Sequence, residues 1–249
     1  TITSLTNPGG LFAVINAGVL TANVVVTIST DLSGETGAVA LLPFTEEGTG
    51  GYTLTIRPSG TRQVIGTTAA TTAALIDFTG ADRVTIDGLN SGGNSLLLRD
   101  LGTGLAVRYA NDASNHVLRN TTVESATNGT MVTIGVGTVT GNDNIQIVRN
   151  TLRDRSDLAG LPPFNLIGST ATSLTITNSG LQFSDNQLFN FRQAGVFVGV
   201  GTDSITVARN TIFQTAPRTT ALFGIAVNGA LGANLFTENT IRDLTTNLA

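Results

Sequence analysis

The sequence predicts an all-β solenoid of short strands stacked in coils, and three observations carry that reading. First, one local frame recurs. Asn210 has an apolar residue three before it, Val207, with Thr211 after it and Ile212 two after it. The frame also fits Asn150 (Ile147, Thr151, Leu152), Asn239 (Phe236, Thr240, Ile241) and Asn186 (Phe183, Gln187, Leu188), and more loosely Asn120 (Val117, Thr121, Thr122). Second, the five asparagines are spaced by 30, 36, 24 and 29 residues, a period that signals a repeat architecture. Third, the composition suits strands broken by turns: 29 Gly, about forty Thr and only 12% charged residues.

Taken in order, residues 1–50 read as an N-terminal cap and first coil, and residues 51–249 as one continuous run of coils. Asn7-Pro8-Gly9-Gly10 is a turn signal. Leu11–Ile15 is apolar and suits a short capping helix, and Val24–Ile28 suits a strand. From Tyr52 onward each coil carries two alternating segments before its corner. The pairs are Leu75/Asp77 with Val84/Ile86, Leu105/Val107 with Val117, Val132/Ile134 with Ile147, Leu174/Ile176 with Leu181/Phe183, Val196/Val198 with Ile205/Val207, and Ile225/Val227 with Phe236. Segments 153–173 and 214–222 read as insertions, and loops of that kind often carry function. At about 30 residues per coil and about 4.8 Å between strands, eight coils form a rod of roughly 40 Å.

Asparagine suits a corner because it tolerates positive φ, and because stacked amides satisfy one another when buried. The frame resembles the asparagine ladder of right-handed parallel β-helices, the pectate-lyase-like superfamily. The stretches 15–24, 31–41, 51–56 and 74–89 resemble β-helix domains of large exported bacterial surface proteins. That resemblance implies a secreted or cell-surface rod, structural or adhesive. One solenoid hosts many activities, however. Lyase and polygalacturonase signatures are absent: Arg57-Pro-Ser-Gly-Thr-Arg62 has its Pro one place early for the lyase motif, and the chain has no Trp and no Lys.

Composition excludes several classes. Zero Cys removes disulfides, thiol catalysis and Cys-based metal sites, and one His, His116, argues against His-rich ones. A net charge of −4 argues against nucleic acid, and no apolar run spans a membrane. Beginning at Thr1, the sequence reads as a processed or excised piece.

Stacking turns each repeat position into a column. Asn120, Asn150, Asn186, Asn210 and Asn239 are expected as the buried ladder. The position before them, Arg119, Arg149, Asp185, Arg209, Glu238, reads as a solvated face, with Arg119 and Arg149 as candidates for a sugar carboxylate or sulfate. Asp143 and Asp203 are candidate Ca²⁺ ligands or Asx-turn residues; no other cofactor is indicated. Asp77, Asp82 and Asp87 form the densest acidic group and the candidate acid–base set. The Thr column after the ladder would need a second regular column for ice binding, and Val123, Arg153, Phe189, Phe213, Arg242 is irregular. Phe189 and Phe213 are candidates for stacking on a sugar ring. Residues 243–249 offer no cap, so that end is expected to be covered by more chain, a neighbouring domain or another copy. The sequence thus supports a non-enzymatic extracellular rod, structural or adhesive, with surface glycans as candidate ligands, and with a polysaccharide lyase or hydrolase, or an inactive carbohydrate-binding relative, as one alternative and a self-assembling filament subunit as another.

Overall fold

The computed structural model describes residues 2–68, 73–89, 93–158, 160–171 and 173–246. It is a right-handed parallel β-helix built of three long parallel sheets. The first sheet stacks Val24–Ile28, Leu54–Pro58, Val84–Asp87, Val117–Arg119, Gln146–Val148, Gln182–Ser184, Thr206–Ala208 and Leu235–Thr237. The second stacks Leu32–Glu35, Arg62–Gly66, Leu96–Arg99, Thr121–Ser125, Thr151–Asp154, Gln187–Phe189, Thr211–Phe213 and Thr240–Arg242. The third has six strands: Ile76–Thr79, Val107–Ala110, Thr130–Ile134, Asn165–Ser169, Ala194–Val198 and Phe223–Val227. Each coil runs from the third sheet to the first, turns a corner into the second, and returns.

Alternation sets the core. In the first sheet Ile56, Ile86, Leu118, Ile147, Phe183 and Val207 face inward in one register, and all are buried. In the second the inward column is Val64, Leu98, Val123, Leu152, Leu188 and Ile212. The N-terminal end is closed by the helix Leu11–Ala17, which buries Leu11, Phe12 and Ile15. Glu35 clips the segment before that helix to the first coil. Its carboxylate accepts from Leu5 N (3.0 Å), Thr6 N (2.7 Å), Thr6 Oγ1 (2.7 Å) and Ser4 Oγ (2.9 Å). Among the described residues no helix is long and apolar enough to cross a membrane.

One inward face differs from the sequence reading by one residue, and in a strand one residue exchanges the faces. Ile76 and Phe78 take the inward column and Asp77 the outer one, while in the next coil Val107 points inward as read and is followed there by Tyr109. The segment 153–173 is not a plain insertion, because it supplies the third-sheet strand Asn165–Ser169. Leu174, read as part of a strand, is 60% exposed.

The corner between the first and second sheets holds the asparagine stack. Asn186 Oδ1 accepts from the backbone N of Asn150 (2.9 Å) and its Nδ2 (3.2 Å), while Asn150 Nδ2 also donates to Leu118 O (2.9 Å). The same three bonds join Asn186 to Asn210 and Ile147 O, and Asn210 to Asn239 and Phe183 O. Every rung therefore satisfies a backbone N–H and a carbonyl of the coil before it.

Asn120 is not a rung. Leu118 pairs with Ile147 and Thr122 with Thr151, so Thr121 stands opposite Asn150. Thr121 donates to Asn150 Oδ1 through both N (3.0 Å) and Oγ1 (2.9 Å) and is fully buried. Asn120 takes the place of Arg149, a left-handed corner position with φ of 53°. The frame fits that coil when shifted by one residue, to Leu118, Thr121 and Val123. The same shift puts Thr122 in the outer Thr column and Glu124, not Val123, in the column beside it.

Candidate functional site

The left-handed corner residue of each coil projects its side chain away from the core, because the rung that follows it points inward. Arg149 (φ 57°), Asp185 (φ 59°), Arg209 (φ 54°) and Glu238 (φ 55°) occupy this position. The strand residues preceding them face alternately in and out, leaving Gln146, Gln182 and Thr206 in one outer column. Val117, Arg119, Gln146, Val148, Arg149, Gln182, Ser184, Asp185 and Arg209 together line a shallow groove of about 270 Å³ on the outer face of the first sheet.

The charges in this groove are unevenly partnered. Arg209 grips Asp185 through Nε (2.7 Å) and Nη2 (2.8 Å), and this bond holds the Asp185 carboxyl below its usual range. Arg119 donates to Asp87 Oδ2 through Nε and Nη2, both at 2.9 Å. Arg149 instead donates only through Nε, to the amide oxygen of Asn120 at 3.3 Å. Among the described residues no carboxylate lies within ion-pair distance of it, and it is exposed. The groove thus offers one guanidinium with open donors, flanked by the carboxamides Gln146 and Gln182. That set suits a hydroxyl-rich anion, which a planar guanidinium engages through two parallel bonds.

The acidic candidates do not share a site. Asp77 lies on the third sheet, where Arg108 binds both its oxygens at 2.9 and 2.5 Å. Asp82 accepts from Ser114 N at 2.7 Å in the turn before the first sheet, and burial raises its pKa. Asp87 ends a first-sheet strand. Burial pushes its pKa up, but hydrogen bonds from Asn120 Nδ2 (2.8 Å) and Leu89 N (3.0 Å) and the Arg119 charge outweigh this and lower it. Asp143 and Asp203 lie in the column of Asp82, with serines between: Ser114 Oγ accepts from Asp143 N (2.9 Å), Asp143 accepts from Ser179 N (2.7 Å), and Ser179 pairs with Asp203. The carboxylates occupy alternate coils and hold turns together.

Phe189 and Phe213 do meet on the outer face of the second sheet, with ring centroids 4.8 Å apart and planes at 16°. Their outer faces are covered, however. The Arg153 guanidinium lies 5.0 Å from the Phe189 centroid and that of Arg242 lies 4.2 Å from Phe213. With each ring face against a ring or a cation, no face remains for a sugar. The pair belongs to an outer spine, Arg99–Glu124–Arg153–Phe189–Phe213–Arg242, in which Arg99 Nε meets Glu124 at 2.7 Å. The spine is hidden from a sequence reading that places Val123 rather than Glu124 in the column.

Two further arrangements leave little trace in the sequence. The Asp112 carboxylate is wrapped by the segment 138–141, accepting from the backbone N of Thr138 (2.8 Å), Val139 (3.0 Å), Thr140 (3.1 Å) and Gly141 (3.0 Å), and from Thr138 Oγ1. Partial burial pushes its pKa up, but these bonds outweigh that and drive it far below the usual carboxylate range. His116 is buried beside Phe78 (4.6 Å) and Tyr109 (5.0 Å), with Nε2 at 2.7 Å from Ala81 O. Burial depresses its pKa to about 4, so it is neutral at pH 7 and structural.

No protein-family model matches the chain, and no curated protein matches it. Among solved structures, endopolygalacturonase I from Stereum purpureum, complexed with two galacturonate, aligns over 93% of this chain and 93% of that one, at 13% identity and a TM-score of 0.36.

Proposed function

We propose that this β-helix is a non-enzymatic module that binds an acidic polysaccharide along the groove of its first sheet, as part of a secreted or surface-displayed bacterial protein. The observation that carries the proposal is Arg149, whose guanidinium makes no direct ion pair among the described residues and stands between the Asp87-bound Arg119 and the Asp185-bound Arg209. A polymer lying along the rod would meet one corner residue per coil, about every 4.8 Å. Gln146 and Gln182 would serve its hydroxyls, and Arg149 its carboxylate or sulfate. The carboxylates at the groove support binding rather than hydrolysis, since Asp87 and Asp185 are each held by an arginine.

The test is binding of the intact chain to a panel of neutral, carboxylated and sulfated polysaccharides, with Ca²⁺ and with chelator, followed by product sizing. The expected result is salt-sensitive retention of an acidic polymer at unchanged length, weakened about tenfold by Arg149→Ala. Shortened products that disappear in Asp77→Asn or Asp82→Asn would replace this reading with a lyase or hydrolase. Equal retention of Arg149→Ala and the parent chain would move the site elsewhere on the rod.

A further inference from the structure

The outer face of the first sheet is charged beyond the groove. Arg57 lies on it in the strand Leu54–Pro58, three coils before Arg149. It is exposed, and among the described residues it makes no ion pair and no side-chain hydrogen bond. Because Ile56 pairs with Ile86, Arg57 stands level with Asp87 in the next coil. Asp87 in turn stands level with Arg119, and Arg119 with Val148, the neighbour of Arg149.

Along the rod, free and neutralised charges therefore alternate. Arg57 is free. Asp87 and Arg119 neutralise each other at 2.9 Å. Arg149 makes no direct ion pair and spends only its Nε, on Asn120. Asp185 and Arg209 neutralise each other at 2.7 Å. The two open guanidiniums are three coils apart, about 14 Å along the rod. They are offset by one place across the face, about 3.3 Å, which an arginine side chain spans. The offset has a local cause: in the coil of Arg57 the corner place falls to the buried Pro58, so the charge sits one residue earlier. Beside this column run Thr85, Val117 and Gln146, which carry no charge.

Such a face selects among acidic polymers. An extended glycan advances about one coil spacing per sugar, roughly 5 Å. An acid stationed over Asp87–Arg119 or Asp185–Arg209 gains little, because the arginine is already engaged and a carboxylate stands beside it. An acid over Arg57 or Arg149 meets a guanidinium with open donors. The net charge of −4 adds repulsion against a densely charged polymer. Taking this face as the site of an acidic polysaccharide, we propose that its ligand is sparsely acidic, with one acidic group to about every third sugar. Arg57 and Arg149 hold two successive acids, and neutral sugars cross the surface between them. Three coils beyond Arg149 the corner carries Glu238 rather than an arginine, so the register holds two acids and not three.

The experiment measures binding of the intact chain, with chelator present, to homogalacturonan of one length carrying random methyl esters. The ester is placed on none, about one third, about two thirds or all of the carboxyls, so that only the spacing of charge changes. Affinity should peak near two thirds, about fivefold above the fully acidic polymer and above the fully esterified one. Arg57→Ala should flatten that peak and weaken the sparse polymer about as much as Arg149→Ala does. Arg57 makes no side-chain bond within the described residues, so its removal leaves the fold intact. Affinity that rises steadily to the fully acidic polymer would overturn the proposal. So would Arg57→Ala without effect where Arg149→Ala weakens binding. Either result leaves the acidic-polysaccharide reading standing, whereas no binding to any acidic polymer would overturn both.

Discussion

Among the described residues two asparagine stacks lie at two corners of the same coils, and only one of them shows in the sequence. The corner between the first and second sheets carries Thr121, Asn150, Asn186, Asn210 and Asn239. The corner that enters the first sheet carries Asn142 and Asn178, where Ala113 N donates to Asn142 Oδ1 (3.0 Å) and Asn142 N and Nδ2 donate to Asn178 Oδ1, both at 3.0 Å. Thr202 then pairs with Asn178 and ends the stack by donating to Ser169 Oγ at 2.8 Å. The bonding is the same in both. The surroundings differ: the first corner joins two strands at a constant interval, whereas the second lies between loops of changing length. A stacked amide is a consequence of backbone geometry, and it becomes a recurring motif only where the flanking apolar positions recur at fixed offsets.

The sharpest test removes the middle of the longer stack. Asn186→Ala leaves Asn150 N and Ile147 O without partners inside the core, while Asn150 Nδ2 keeps its bond to Leu118 O. With each orphaned buried group worth about 1–3 kcal/mol, the expected loss is about 4 kcal/mol by urea denaturation. A loss below about 1 kcal/mol would mean that the stack is incidental to stability.

The corners also differ in their response to acid. The longer stack holds amides and a threonine, none of which titrates. The shorter one adjoins His116, buried with a pKa lowered to about 4 from 6.5. As pH falls below 6.5 the unfolded chain takes up a proton that the folded one refuses, so stability declines until the folded pKa is passed near 4. The loss from this group is about 3 kcal/mol across that window. A buried, non-titrating replacement, His116→Phe, should flatten this part of the stability–pH curve. An unchanged slope would place the acid sensitivity in the carboxylates.

Asn178→Ala should cost less than Asn186→Ala, about 2 kcal/mol. It orphans Asn142 N, but Asn142 Nδ2 keeps its bond to Gly135 O at 2.9 Å, so the carbonyl that Asn178 Nδ2 also served keeps a donor, whereas Asn186→Ala strips Ile147 O of its side-chain donor. Equal losses at the two positions would erase the distinction between the corners.

What is legible in the sequence follows from the same contrast. The solenoid, the parallel strands and four of the expected rungs are readable, because Ile147, Phe183, Val207 and Phe236 stand three residues before an Asn in each case. The third-sheet strand Asn165–Ser169 is hidden because Ser169 takes an inward place that Ile134 and Val198 hold in neighbouring coils. The groove is half visible. Arg119 and Arg149 can be read as a column, but they stand one position apart, Arg119 opposite Val148 and Arg149 level with Asn120 and Asp185. That Arg149 lacks a carboxylate partner among the described residues depends on where Asp87 and Asp185 point, which no spacing records. The covered faces of Phe189 and Phe213 likewise depend on Arg153 and Arg242 folding over them.

The smallest expected effect decides where the longer stack begins. Were Asn120 a rung, its loss would match that of Asn186. In the structure its side chain lies at the corner's outer side, donating to Asp87 Oδ1 and accepting from Arg149 Nε, with φ at 53°. Glycine adopts that φ without strain, so Asn120→Gly forfeits the bond to Asp87 and the longer one, at 3.3 Å, from Arg149, and relieves a left-handed conformation. These contributions oppose, and the net change should stay within about 1 kcal/mol. Thr121→Val is the complementary change, since it keeps shape and removes the Oγ1 donor to Asn150 Oδ1. Because Thr121 N still reaches that oxygen, the loss should be about 1 kcal/mol, and larger than for Asn120→Gly. The reverse order would return Asn120 to the stack. Gly88 precedes Asn120 in the corner column, and a Cβ on it would come within 1.8 Å of Asn120 O, so the backbones approach too closely for a side chain at that place.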